Sequence, residues 1–266
     1  MRNVRLIARL DIKAPNLVKG IHLEGLRKIG NPNEYAVAYY QHGIDELIYE
    51  DIVASLYNRN SLLDVIEKTT NRIFVPIIVG GGLRSVDDVS AVLRAGADKI
   101  SINSEALKRP KIISEVANRF GSQCMVLSVQ AKQRENSWEA YYDNGREPSG
   151  IDVLDWVEKS QGLGAGEILL TSVDKEGTRS GFDVDLVRAV SKAVDIPVIA
   201  SGGMGNLSHL NEIVSETSVD GVAMAHVLHN DIYSVAKIRK YCQEQDIPVR
   251  NILISTDEYA ECNLSS

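Results

Sequence analysis

The sequence predicts a single (β/α)8 barrel built from two (β/α)4 halves, and three observations carry that expectation. The first is the stretch from Val75 to Ser104, VPIIVGGGLRSVDDVSAVLRAGADKISINS. Pro76 to Val79 is apolar throughout, as a strand covered on both faces of a parallel sheet requires. Gly80, Gly81 and Gly82 follow, Ser85 with Asp88 is a capping-box pattern, and Lys99 to Ile102 begins the next strand. The second observation is that this unit recurs at Ile196 to His226, IPVIASGGMGNLSHLNEIVSETSVDGVAMAH. Pro76 pairs with Pro197, Gly81 with Gly202 and Gly82 with Gly203, each at 197 − 76 = 121 residues; His42–Glu46 repeats as Leu163–Glu167 at the same offset. Leu10-Asp-Ile-Lys13 echoes Val129-Gln-Ala-Lys132 at 119. A half-length repeat of alternating strand and helix marks two fused half-barrels. The third observation is the length, 266 residues without a dividing linker or charge block, which suits one barrel. A doubly wound sheet with a chance glycine echo would not keep four anchor pairs in near-constant spacing.

Taken in order, Val4 to Ile12 is the first strand, with Arg5, Ile7, Arg9 and Asp11 on one face. Lys13 to Asn31 reads as a long loop, of the kind that is usually functional. Pro32 to Gln41 is a helix opening on proline, Glu46 to Asp51 a strand and Ser61 to Arg72 a helix. After the first glycine unit, Pro110 to Phe120 is a helix and Cys124 to Gln130 a strand. Ser137 to Arg146 alternates around Asp143-Asn144-Gly145 and reads as a hairpin with an Asn-Gly turn. Ile151 to Gln161 is a helix, Glu167 to Leu170 a strand, Asp174 to Thr178 a polar loop and Asp183 to Val194 a helix. After the second glycine unit comes a helix from Ser234 to Gln245. The barrel is expected over residues 1–250 as one domain, with 251–266 a patternless tail.

A hydrophobic content of 44% and a charged content of 24% are ordinary for a soluble globular chain. A net charge of −7 argues against nucleic-acid binding as the main role. No run of 18 apolar residues is present, so no membrane span is expected. The start, MRNVRLIARL, is broken by arginines too often for a signal peptide. Cys124, Cys242 and Cys262 are odd in number and lack metal-ligand spacing, which points to a reducing cytoplasm without a metal or cofactor site.

Active sites of such barrels lie at the C-terminal strand ends. The candidates there are Asp11, Asp51, Gly81, Gly82, Asn103, Gln130, Thr171, Ser172, Gly202, Gly203 and Ala225. Glycine loops that open helices can present bare amides to a phosphate. Two of them related by the repeat imply a long substrate with a phosphate at each end; tight loop packing is the plainer alternative. Lys19, in the long loop over the top, is a candidate third anion contact, against the plainer reading of a solvated lysine.

Seven stretches carry a family resemblance: LDIK at 10–13, VKG at 18–20, VGGGLRSVDD at 79–88, RAGADKISINS at 94–104, FGSQC at 120–124, GAGEILLTSVDKEGT at 164–178 and IPVIASGGMGN at 196–206. With them the chain resembles the HisF family, the cyclase subunit of imidazole glycerol phosphate synthase, over roughly residues 1 to 250. The resemblance implies a HisH-type glutaminase partner docked at the N-terminal face of the barrel. Ammonia made there would cross the barrel and react with phosphoribulosyl-formimino-aminoimidazole-carboxamide ribonucleotide (PRFAR), which has two phosphates. The products would be imidazole glycerol phosphate and aminoimidazole-carboxamide ribonucleotide (AICAR), a step of histidine biosynthesis. It also implies an ammonia gate of Arg5, Glu46, Lys99 and Glu167, for which a salt-bridged barrel floor is the plainer alternative. The implied phosphate sites are Gly82 with Asn103 and Ser104, and Gly177 with Gly203 and His226.

The chain departs from the family where the chemistry is done. Asp11 stands where the family has its first catalytic aspartate, but the second position is Gln130, whose amide has no titratable proton near neutral pH. Arg9 replaces a small neutral residue on the face of Asp11 and should hold that carboxyl ionised. Glu176 stands for an aspartate and His226 for a serine. Weak or absent cyclisation is therefore expected. Besides the family reaction, two alternatives stand: a paralogue supplying ammonia to a sugar amidotransferase that makes acetamidino sugars for surface polysaccharide, and a non-catalytic barrel that scaffolds a glutaminase.

Overall fold

The computed structural model describes residues 3–54 and 62–252. Eight parallel strands close on themselves: β1 (Arg5–Lys13), β4 (Glu46–Asp51), β5 (Ile77–Gly80), β6 (Lys99–Ile102), β7 (Met125–Arg134), β10 (Glu167–Ser172), β11 (Val198–Ser201) and β12 (Gly221–Met224). Each pairs in parallel with the next, and β12 returns to β1 through Arg5 opposite Gly221. The fold is the expected (β/α)8, or TIM, barrel. The halves match strand for strand: 125 − 5 = 120, 167 − 46 = 121, 198 − 77 = 121 and 221 − 99 = 122.

Helices α1 (Pro32–Gln41), α2 (Leu63–Thr70), α3 (Val86–Arg94), α4 (Ser104–Lys108), α5 (Lys111–Phe120), α6 (Val153–Gly162), α7 (Val184–Ala193), α8 (Leu207–Glu216), α9 (His226–His229) and α10 (Val235–Glu244) cover the outside. Outward-facing strand residues such as Leu6, Leu47, Val79, Ile100 and Leu170 are buried beneath them in one continuous core. The capping box forms: the Asp88 amide donates to Ser85 Oγ at 3.1 Å and the Ser85 amide to Asp88 Oδ2 at 2.9 Å. In the second copy Asn206 Oδ1 accepts from the His209 amide at 3.2 Å and caps α8.

Inward-facing side chains alternate along each strand and build layers. Arg5, Glu46, Lys99 and Glu167 form the floor. Ile7, Ile48, Ile78, Val126, Leu169, Ile199 and Ala223 form an apolar middle. Above it lies a polar layer that includes Arg9, Glu50, Ser101, Gln130, Thr171 and Ser201, all buried.

The main correction concerns Lys13 to Asn31. It is not a loop: β1 runs on into two antiparallel strands, β2 (Asn16–Ile21) and β3 (Glu24–Gly30). The second half repeats the device, with β7 extending through β8 (Ser137–Tyr142) and β9 (Glu147–Asp152). There the expected hairpin forms, with Asp143, Asn144 and Gly145 all at positive φ. Ile151 belongs to β9, because Asp152 caps α6 and starts that helix two residues later than expected. The expected start of α2 at Ser61 and the tail beyond Ile252 lie outside the described residues. No helix among the described residues is long and apolar enough to cross a membrane.

Candidate active site

Asp11 ends the inward face of β1 and is 2% exposed. Arg9 Nε donates to its Oδ1 at 2.9 Å and Lys19 Nζ to its Oδ2 at 3.0 Å. Burial pushes the Asp11 carboxyl up, but Arg9 and then Lys19 outweigh it and hold it at about 2. The expectation that Arg9 keeps Asp11 ionised agrees with this arrangement. Arg9 Nη1 also donates to Thr171 Oγ1 at 2.9 Å and Ser201 Oγ at 3.2 Å. Its backbone carbonyl meets His229 Nε2 at 3.0 Å, while His229 Nδ1 meets the Tyr39 hydroxyl at 2.7 Å. Burial lowers His229 to about 4, so a neutral imidazole bridges α1 to β1.

Lys19 arrives on β2 and is also buried. It pairs with Glu176 as well as Asp11. It is therefore not a solvated lysine but a buried tie between two carboxylates. Thr171 likewise faces Arg9 through its hydroxyl rather than lining either cavity described below.

Two cavities open at this end of the barrel. One holds Asp51, Gly81, Gly82, Asn103, Ser104 and Gln130, with Glu50, Ser101, Arg84 and Lys108 also in its wall. The other, smaller one holds Glu176, Gly177, Gly202, Gly203, Ala225 and His226, with Arg9 at its base. The symmetry-related pairs Gly81/Gly82 and Gly202/Gly203 all have positive φ. At Gly203 a side chain is further excluded, because a Cβ would strike the Gly181 carbonyl. Ser172 is buried, and its carbonyl oxygen lies beside Gly202. Burial and the nearby Arg179 and Lys19 lower the His226 pKa, so its ring enters the second cavity neutral near pH 7.

At the opposite end, Arg5 Nη1 reaches Glu46 at 2.5 Å and Arg5 Nη2 pairs with Glu167. Lys99 Nζ lies 2.8 Å from both carboxylates. The four expected residues thus form a closed ring of alternating charge. Burial raises Glu46 despite its two cations.

The alternation of β4 could have revealed Glu50, which shares its inward face with Glu46 and Ile48. It is 7% exposed, and Ser101 Oγ donates to its Oε2 at 3.0 Å. Among the described residues no cluster of side chains suits a metal ion.

A family model described as histidine biosynthesis protein matches residues 5–234. The chain belongs to the histidine biosynthesis protein family. Within that family, "Imidazole glycerol phosphate synthase subunit HisF" of Legionella pneumophila is 63% identical over 212 residues, spanning 79% of this chain and all of that relative. The protein of the same name from Streptococcus mutans is 45% identical over 251 residues, spanning 94% of this chain and all of that relative. The resemblance of the seven sequence stretches to HisF therefore holds across the barrel.

Proposed function

We propose that this chain is the cyclase subunit of an imidazole glycerol phosphate synthase, converting PRFAR and ammonia to imidazole glycerol phosphate and AICAR. The observation that carries the reading is the pair of twofold-related glycine cavities on either side of buried Asp11. Gly82 with Asn103 and Ser104 would hold one phosphate, and Gly177 with Gly203 the other, by backbone amides. Residues 1–250 form the working unit. The relatives are named as subunits, and a HisH-type glutaminase at the floor ring would supply ammonia. The apolar layer above that ring admits neutral ammonia more readily than ammonium.

Asp11 is held ionised, so it accepts protons and does not donate them near neutral pH. Gln130 carries no titratable proton. Without another proton-transfer group in the site, that loss would lower turnover while sparing binding through the two cradles. A second reading, ammonia delivered to an acetamidino-sugar pathway, is favoured by Gln130 and by the guanidinium of Arg9 within the bore.

Mixing the chain with a glutaminase of this system and supplying glutamine with PRFAR tests the proposal. The expected result is a one-to-one complex that forms both products. A complex that hydrolyses glutamine without consuming PRFAR would transfer support to the second reading. No complex and no product would reject both.

A further inference from the structure

Glu50 projects from β4 into the cavity that holds Gly81, Gly82 and Gln130. Its space is made by Gly80, where a Cβ would stand 2.5 Å from Glu50 Oε2 and closer still to Ser101 Oγ. Two further atoms of the same cavity, Gln130 Oε1 and Asn103 Oδ1, are buried acceptors without a hydrogen-bond partner among the described residues. Asn103 is fixed in that orientation, since its Nδ2 donates to the Tyr141 carbonyl at 3.1 Å. Buried acceptors without partners are costly unless a ligand supplies donors. A carboxyl beside two bare amide oxygens is a wall built for a group rich in N–H or O–H.

We propose that Glu50 is the second proton-transfer group of this site, filling the role that Gln130 cannot, while Gln130 Oε1 accepts a hydrogen bond from the substrate. The inference rests on the cyclase reading and deepens it. Burial lifts the Glu50 carboxyl to about 7, against Arg9 and the Ser101 hydrogen bond, with Asp11 and Asp51 adding to the rise. Both of its protonation states are then populated near neutral pH, which suits a group that must give and take a proton. The groups facing it are Arg9 and Asp11 from β1, Asp51 from β4, Ser101 from β6 and Gln130 from β7.

The proton count closes. When ammonia condenses with a substrate carbonyl, a C=N bond replaces C=O and the oxygen leaves as water. The nitrogen loses two protons and the oxygen gains two. Glu50 gives a proton to the oxygen and recovers one from the nitrogen in each of two exchanges, ending as it began. Nothing is oxidised or reduced.

The test is ammonium-driven PRFAR turnover against pH for wild type, Glu50→Gln, Glu50→Leu and the double variant Glu50→Gln with Gln130→Asp. We expect kcat to fall at least about 10²-fold in both single variants. KM should stay within about threefold, and the limb of the pH profile near 7 should vanish. The double variant, with a carboxyl returned at position 130, should regain at least about tenfold. A Glu50→Gln kcat within threefold of wild type, or a pH limb that persists, overturns the proposal, as does a loss confined to KM. A loss that the double variant fails to recover, with Glu50→Leu alike, also overturns it by showing a packing role. Turnover in wild type that these variants leave unchanged rejects Glu50 alone. Absence of turnover in wild type rejects the cyclase reading, and the role of Glu50 with it.

Discussion

Asp11 and Glu176 share one buried cation, Lys19, and Arg9 adds a second beside Asp11. Removing one partner of such a buried pair costs far more than the pair contributes, because a charge is left without compensation. Lys19→Met should therefore lower the unfolding free energy by about 3–5 kcal/mol in urea titration. A change below about 1 kcal/mol, the range of exposed pairs, would show that water already screens Lys19. Glu50 makes the opposite kind of prediction. Its folded pKa lies near 7, above an unfolded value of about 4.3. The folded state thus binds the proton more tightly, and stability present below about pH 4.3 is lost as pH rises through 7. Wild type should lose on the order of 3 kcal/mol more than Glu50→Gln between pH 4.5 and 8. Equal slopes for the two proteins would place the Glu50 pKa near its ordinary value. Asp11 was legible from its strand and its motif. Glu50 was equally available from the period of β4 but carried no motif, and only its burial against Ser101 sets it apart. The tie of Lys19 to Glu176 spans 157 residues and could not be read from either stretch alone.

The elements that crown the barrel are the two antiparallel excursions, β2–β3 and β8–β9. The Asn-Gly turn marks the second in the sequence, whereas no local signal marks the first as strand. Pro15, Gly20 and Gly25 break its pattern, and Leu17, Val18 and Lys19 are buried in succession beside β1, so no alternation marks it. Its strand character depends on a partner that local propensity does not reveal. The excursion is pinned to the second half of the chain. The His22 amide donates to the Glu176 carbonyl at 2.8 Å, and Asn144 Nδ2 donates to the Leu23 carbonyl at 3.1 Å. Gly177 lets this happen: its φ is +74° and a Cβ would come within 2.6 Å of the Gly20 carbonyl oxygen. Gly177→Ala should cost about 1–3 kcal/mol and speed hydrogen exchange of the amides in 16–30 relative to those of β10. Unchanged protection of 16–30 would show that the excursion is held by other contacts.

At the scale of the whole molecule the duplication is visible both in sequence and in structure, because glycine loops and strand starts recur at 120 to 122 residues. The closed order of strands followed from that repeat. The vertical layering did not, since it depends on how eight strands stagger around the bore. That layering puts the charged ring at one end, an apolar layer in the middle and the two glycine-lined cavities at the other. If the ring passes ammonia from a partner, Lys99→Ala should lower glutamine-driven turnover by about 5- to 150-fold relative to ammonium-driven turnover, the size of an ordinary coupling between sites. Equal losses with both nitrogen sources would assign the ring to structure alone.

The most direct test of the account is the rate at which the purified chain, without any partner, converts saturating PRFAR in the presence of an ammonium salt near pH 8. Imidazole glycerol phosphate and AICAR should form in equal amounts, at a rate that depends on ammonium and falls at least about 10²-fold in Asp11→Asn. No product from wild type while PRFAR binds, or a rate indifferent to Asp11→Asn, would contradict it.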